Sequence, residues 1–301
     1  MNAVLVIDKP AGPTSHDVVN RVRRILQERS VGHLGTLDPL ATGVLPLVTG
    51  NLTRLAQFYT GCEKTYEGVI RLGFATDTYD SQGEATAPAV EVEVSLEQLR
   101  QALNKFIGVI EQSPPSFSAK KINGVPAYKL ARRKQEVPLK PVRVEIKELD
   151  LLGMENARVS FRARVASGTY LRSVAHDLGR ELGCGGHLES LRRTSVGEFG
   201  LADAHTLEVI DSAAQAERLE EVCIHPRKLL PEFPSVTAND EMAARIRTGR
   251  TVNLPDMSRS QRVKVFYGQG ELICVATRVA GTLFHPGIVL AGNPTLQAAK
   301  Q

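Results

Sequence analysis

Apolar and polar positions alternate along the chain in two rhythms. The opening AVLVID reads as a short strand, Lys9-Pro10-Ala11-Gly12-Pro13 is turn chemistry, and Thr14-Ser15-His16-Asp17 has the spacing of a helix capping box. Val18, Val19, Val22, Ile25 and Leu26 then recur at helical spacing, with Arg21, Arg23 and Arg24 on the other face, until Ser30 and Gly32 end the pattern. A second helix is predicted after Ser95, where Gln98 completes a capping box and Leu96, Leu99, Leu103 and Phe106 form the apolar stripe. Strands are predicted at Tyr66 to Leu72, at Val142 to Ile146 and at Arg158 to Val165. In the last of these Val159, Phe161, Ala163 and Val165 alternate with Arg158, Ser160, Arg162 and Arg164. Helices and strands interleave without a βαβ rhythm, so the expected class is α+β, a mixed sheet carrying helices.

Pro226, Pro231 and Pro234 crowd one short stretch and suggest a boundary, giving a large unit over 1–228 and a small one over 229–293, with a frayed tail over 294–301. The small unit reads as a helix (Asp240 to Arg247), strands RVKVFY and ELICVAT joined by Gly268-Gln269-Gly270, and a final strand near Gly287 to Leu290. A β-rich unit of this size is near the lower limit for folding alone and is expected to pack on the larger one.

Composition narrows the class. With 301 residues, 42% hydrophobic and 23% charged, the chain is an ordinary globular one, and no apolar run reaches the roughly 18 residues that a membrane span needs. The start lacks a basic n-region and meets Asp8 and Lys9 too soon for a signal-peptide core, so a cytoplasmic location is expected. Cys62, Cys184, Cys223 and Cys274 are scattered, and the Cys184/His187 spacing has no second ligand pair nearby. Neither a disulfide framework nor a metal site is expected. The net charge of +4 is unevenly spread: between Ser118 and Arg143 lie eight cations, among them Lys120, Lys121, Arg132, Arg133 and Lys134, against the single acid Glu136. Such a segment is either a solvated loop or a place where a polyanion docks.

Two segments carry chemistry. Val31 to Gly43 (VGHLGTLDPLATG) holds three glycines, His33 and Asp38, with Pro39 restricting Asp38 to extended backbone. Asp38 is either the cap of a helix beginning at Ala41 or Thr42, or a reactive carboxylate. No phosphate-binding glycine loop is present. In Ser167 to Val174 (SGTYLRSV) a strand gives way to a helix with Arg172 in its first turn, a poor place for a cation because the helix dipole is positive there. Arg172 either pairs with Asp177 or Glu181 on its own helix or serves a function.

Taken together, DKPAGPTSHDVV, GHLGTLDPLATGVLPL, EKTYEGVIRLGFATDTYDSQGE, the block FIG…Q.PPSFSAKKINGVPAY.LAR and SGTYLRSVAHDLGRELGCGGHLESLRRTSVGEF resemble, in order, the bacterial tRNA pseudouridine-55 synthases of the TruB family. The resemblance covers residues 1 to about 200. More weakly, the C-terminal unit is similar to the small PUA-type RNA-binding module of that family. It implies that Asp38 is the catalytic aspartate, Arg172 its ion-pair partner and Tyr66 the aromatic lying against the target base. It implies substrate contacts from His33, Tyr170 and Leu191, with Lys9 and Lys64 as further contributors. The implied partner is the T-arm stem-loop of tRNA, bound by a monomer without cofactor or metal. Two departures stand out: Leu34 occupies a position where Thr or Gly is more usual, and Ala131 to Gln135 lacks the glycine expected after LAR.

These residue types suit a reaction that detaches uracil from C1′, turns it and rejoins it through C5. A carboxylate held as an anion beside a guanidinium can attack sugar or base, or remove a sugar proton. The base must leave the RNA stack, which calls for an aromatic platform (Tyr66) and a side chain to fill the vacated space (His33). Tyr66 could instead help remove the C5 proton. The competing reading is a non-catalytic RNA-binding or chaperone protein, which needs the basic segment but no Asp–Arg pair. A phosphatase or glycosidase would need a magnesium site or a second placed carboxylate, and neither is visible.

Overall fold

The structure, a computed structural model, describes residues 1–290 except 119, 123, 128–129, 131–132, 134–139 and 256–258. The predicted tail over 294–301 therefore lies outside the described residues, as do Arg132 and Lys134 of the basic segment.

A ten-stranded mixed sheet forms the frame. Its strands are β1 (Val4–Lys9), β2 (Val31–His33), β3 (Thr42–Thr49), β4 (Lys64–Leu72) and β5 (Gly108–Gln112), then, after a two-residue hairpin of β6 (Lys121–Ile122) and β7 (Val125–Pro126), β8 (Val142–Glu155), β9 (Arg158–Val165), β10 (Gly186–Val196), β11 (Phe199–Gly200) and β12 (Ala204–His205). The order across the sheet is β12-β1-β3-β10-β4-β9-β8-β5, with β2 paired to β3 and β11 to β10. Helices α1 (Ser15–Leu26), α2 (Ala56–Tyr59), α3 (Leu96–Asn104), α4 (Leu171–Glu181) and α5 (Leu207–Gln215) accompany it.

Local chemistry explains the ends of the helices. Thr14 Oγ1 accepts from the Asp17 N–H at 3.1 Å while Asp17 Oδ2 accepts from the Thr14 N–H at 2.9 Å, a complete capping box, and Ser95 and Gln98 repeat it at α3. Helix α1 stops earlier than the pattern predicts, at Gln27, whose φ of 50° leaves the helical region. The strand predicted at Arg158 to Val165 is β9; that predicted at Val142 to Ile146 runs on to Glu155. Val18, Val19 and Val22 pack with Ile70, Phe161 and Val174 in a core between sheet and helices.

The second sheet follows the order β13 (Ser235–Ala238), β15 (Arg262–Tyr267), β16 (Glu271–Ala280), β17 (Leu283–Val289), β14 (Val252–Asn253), and α6 (Asp240–Arg247) packs on it. The last strand begins at Leu283, earlier than the sequence suggests, because Pro286 and Gly287 sit inside it. Val4, Val6, Val44 and Val48 of the first sheet share one buried cluster with Phe266, Leu272 and Val275 of the second. The two sheets are thus joined by apolar packing.

Three neighbouring strands set up the site. Gly43 of β3 lies beside Arg193 of β10, and Arg193 lies opposite Tyr66 of β4. Gly43 has φ +96°, and a Cβ there would collide with the Arg193 carbonyl, so only glycine permits this approach.

Candidate active site

Asp38 sits in the loop that returns from β2 to β3. The next element is a strand, so Asp38 caps no helix and the capping alternative is set aside. Instead, the loop's own backbone is tied down on both sides of the carboxylate. Arg193 donates Nη2 to Gly35 O at 3.0 Å, Nη1 to Thr36 O at 3.1 Å and Nε to Val44 O at 2.8 Å. Lys9 Nζ donates to the carbonyls of Pro10 (2.8 Å), Pro39 (3.2 Å) and Ala41 (2.8 Å). Ser15 Oγ accepts from Leu37 N at 2.8 Å and lies 3.0 Å from Leu37 O. Burying loop backbone requires such partners, and here two buried cations and a hydroxyl supply them.

The carboxylate meets Arg172, which is buried in the first turn of α4. Arg172 Nε approaches Asp38 Oδ2 at 2.8 Å, and Nη2 donates to Oδ1 at 3.2 Å. The Nε–H does not point at an acceptor, so the first contact is ionic and the second is the directed hydrogen bond. Arg172 is shared: Nη2 also donates to Phe117 O (3.0 Å), Nη1 donates to Thr78 O (3.3 Å), and Nη1 lies 3.5 Å from the buried Asp80 carboxylate. Asp177 pairs with Arg180 and Glu181 with Lys105, so neither holds Arg172.

Burial shifts several neighbours. Lys9 is lowered to about 8 by desolvation, against the pull of Asp38. Desolvation likewise lowers Arg193, opposed by Tyr66 and Asp38, and raises the Tyr66 phenol, which faces the Arg193 guanidinium. His33 and Lys64 are both lowered, by burial first and by Arg193 second. Tyr66 and His33 are therefore neutral near pH 7.

A cavity of about 430 Å³ opens over this group, a size suited to a small planar ligand. Asp38 and Arg172 line it with Tyr66, His33 and Lys64, and Tyr170 and Leu191 complete its wall. Lys9 lies beneath, behind the loop it holds. Among the described residues no cation of the basic segment lines the cavity: Lys120 Nζ reaches Lys140 O at 3.4 Å, Arg133 is exposed in a turn, and Lys121 belongs to β6. Cys184 and His187 do not converge, since the thiol faces Gly185 O and the imidazole Phe74 O. Among the described residues no three His, Cys, Asp or Glu side chains gather as metal ligands would, and no helix is long and apolar enough to cross a membrane.

Residues 23–171 match the N-terminal domain of the TruB family of pseudouridylate synthases, and residues 172–230 match the C-terminal domain of tRNA pseudouridylate synthase B. The chain belongs to the TruB family. It is 50% identical to the tRNA pseudouridine synthase B of Solibacter usitatus over 96% of this chain and all of that one. To its namesake in Aquifex aeolicus it is 40% identical over 90% of this chain and 96% of the other. Among solved structures, a chain of a Cbf5–Nop10–Gar1 complex superposes with a TM-score of 0.71 at 25% identity, covering 96% of this chain and 85% of that one. Pseudouridylate synthases are isomerases, so the TruB-family site has to break one glycosidic bond and make another.

Two residues that support this TruB-family cavity from outside its lining, Arg193 and Asp80, are not singled out by the sequence. Arg193 is fully buried on a strand, where a cation is expected to point outward; the clue is that it shares the face of Leu191 two residues earlier. Asp80, inside ATDTYDSQGE, is 4% exposed, accepts from Thr78 Oγ1 at 2.6 Å and Gln82 N at 3.0 Å, and backs Arg172 from the side away from Asp38. A carboxylate on each side of one guanidinium leaves it little freedom to turn.

Proposed function

We propose that this protein isomerises uridine-55 in the T arm of tRNA to pseudouridine, with Asp38 as the reacting carboxylate, and that it works as a cytoplasmic monomer without cofactor. One observation carries the reading: in a chain of the TruB family, a part-exposed Asp38 carboxylate at the wall of a nucleotide-sized cavity is paired with a buried, doubly engaged Arg172.

The uridine leaves its stack and enters the cavity, where the Tyr66 ring lies along the base, Leu191 and Tyr170 bound it and His33 fills the space vacated in the RNA. The N1–C1′ bond breaks, the uracil turns, the C5–C1′ bond forms, and the proton lost from C5 is balanced by one gained at N1. Asp38 acts as nucleophile or base in this sequence; each role needs the anion, and Arg172 lies against it as the counter-charge. Tyr66 stays protonated because burial raises it, so its contribution is a ring face rather than a base. Lys64 and Lys9 add positive potential at and beneath the cavity. The cations at Lys120, Lys121, Arg132, Arg133 and Lys134 grip the RNA backbone. Residues 1–228 form the catalytic unit and 229–293 a PUA-like RNA-binding unit.

Incubation with unmodified tRNA transcript, followed by separate nucleoside chromatography of the fragment that carries position 55 and of the remainder, tests this, because pseudouridine and uridine have equal mass but separate on the column. Pseudouridine confined to position 55 is the expected product. Tight binding of tRNA with uridine as the only recovered nucleoside at that position would point to the non-catalytic RNA-binding reading.

A further inference from the structure

Helix α4 starts without a cap of its own. Tyr170 holds the N-cap position, and its side chain accepts no hydrogen bond from the first-turn amides. Yet the first turn carries Arg172, whose aim at Asp38 depends on where that turn sits. What fixes it comes from the edge of the sheet. Gln112, the last residue of β5, is 1% exposed, and its amide clasps the backbone of Tyr170 at both ends: Oε1 accepts from Tyr170 N at 2.8 Å, and Nε2 donates to Tyr170 O at 3.0 Å. Two further bonds stitch the residues after Gln112 to the same turn, Ser173 Oγ to Ser113 O at 2.8 Å and Arg172 Nη2 to Phe117 O at 3.0 Å.

We propose that Gln112 is a positioning residue for the isomerisation: by clasping Tyr170 it registers the first turn of α4 against β5 and so aims Arg172 at Asp38 and Tyr170 into the cavity. This rests on the function proposed above. A side-chain amide donates from one atom and accepts at another of the same end without any charge to bury, which suits the backbone N–H and C=O of a single residue. Without it the part-buried Tyr170 N–H and C=O lose their partner, and the turn is free to move to find another. Only one directed hydrogen bond links Arg172 to Asp38, so a shift of a fraction of an ångström there is enough to lose it.

Two variants test this, with single-turnover rates at saturating tRNA and RNA affinity measured separately, at a temperature well below each variant's melting point. Gln112→Leu removes both bonds at similar volume and is expected to slow single turnover about ten- to a hundredfold with affinity within about threefold. Gln112→Glu keeps only the acceptor when ionised but regains a donor when protonated, and burial raises its pKa. Its rate relative to wild type is therefore expected to climb as pH falls from about 8 to about 6. A Gln112→Leu rate within about twofold of wild type overturns the assignment. So does a slow Gln112→Leu whose RNA affinity falls equally, or a flat pH ratio for Gln112→Glu, either of which reduces Gln112 to a general structural role. A wild-type protein that makes no pseudouridine sinks the functional reading instead, which keeps the two failures apart.

Discussion

Tyr66 and Glu67 are consecutive on β4 and face opposite sides of the sheet, and the two sides use arginine differently. On Tyr66's side, Arg172 lies 2.8 Å from Asp38; on Glu67's side, Arg162 lies 2.8 Å from Glu67 and Arg158 the same distance from Glu189. The distances are equal, but the Arg172 side chain is 5% exposed and that of Arg162 53%. The outer pairs decorate β4, β9 and β10 and are screened by water and salt. The inner cations have no water to fall back on: Arg193 commits its donors to carbonyls around the loop that carries Asp38, and Arg172 divides its two Nη groups among Asp38, Phe117 O and Thr78 O. An ion-pair distance therefore says little until burial is known: the outer guanidinium adds solubility, the inner one fixes a geometry.

The sharpest break of this comparison is Asp38→Asn. The amide keeps the shape but loses the charge, and single-turnover pseudouridine formation is expected to fall by at least about a thousandfold, with RNA affinity changed no more than severalfold. Protein checked for deamidation that still turned over appreciably would remove Asp38 from its role. Arg172→Lys keeps the charge but cannot reach Asp38, Phe117 O and Thr78 O together, so a loss of about 10- to 100-fold in rate is expected, with a smaller effect on binding. Wild-type single-turnover rates in that variant would show that point charge alone suffices.

Lys9 sharpens the comparison through pH. Below about 8 the folded and unfolded chains both hold its proton; between about 8 and 10.5 only the unfolded chain does, so this group makes the protein more stable as pH rises through that window. Activity should move the other way. A neutral amine has two donors for three carbonyls, the turn at Pro39 to Ala41 loosens, and single turnover is expected to decline modestly above about pH 8. Urea midpoints and rates measured across that range should show both trends, and Lys9→Met should lack both. The smallest effect is on the outer face: Glu67→Gln is expected to leave rate and melting temperature indistinguishable from wild type. A clear fall in either would show that the outer pairs also shape the site.

Elements with one wet face were legible in the sequence, as Arg158 to Val165 shows, because alternation survives where half the side chains meet water. Strand β3 was not, since seven of its eight residues are buried and no alternation remains, with Pro46 adding a false turn signal. Arg172 announced itself by standing where a helix dipole disfavours it, and Asp38 by its glycine-rich setting. Arg193 and Gln112 gave no such sign: their importance lies in carbonyls belonging to residues far along the chain, and no local pattern encodes a partner 58 residues away. The apolar joint between the two sheets was foreseen only as a size argument. The Phe266 and Leu272 positions that make it look like ordinary core.

The sheet order places β10 between β3 and β4, two strands that are neighbours in sequence. During synthesis β3 and β4 emerge first and must wait, each with an open edge, until more than a hundred further residues have left the ribosome. Arg172 and Arg193 arrive only with that late stretch. A nascent or truncated chain ending before α4 carries Asp38 on a loop whose carbonyls lack Arg193 and whose carboxylate lacks Arg172. With the role proposed for Asp38, premature termination yields an inert fragment with two sticky edges rather than a sluggish enzyme, so that catalytic competence reports completion of the fold.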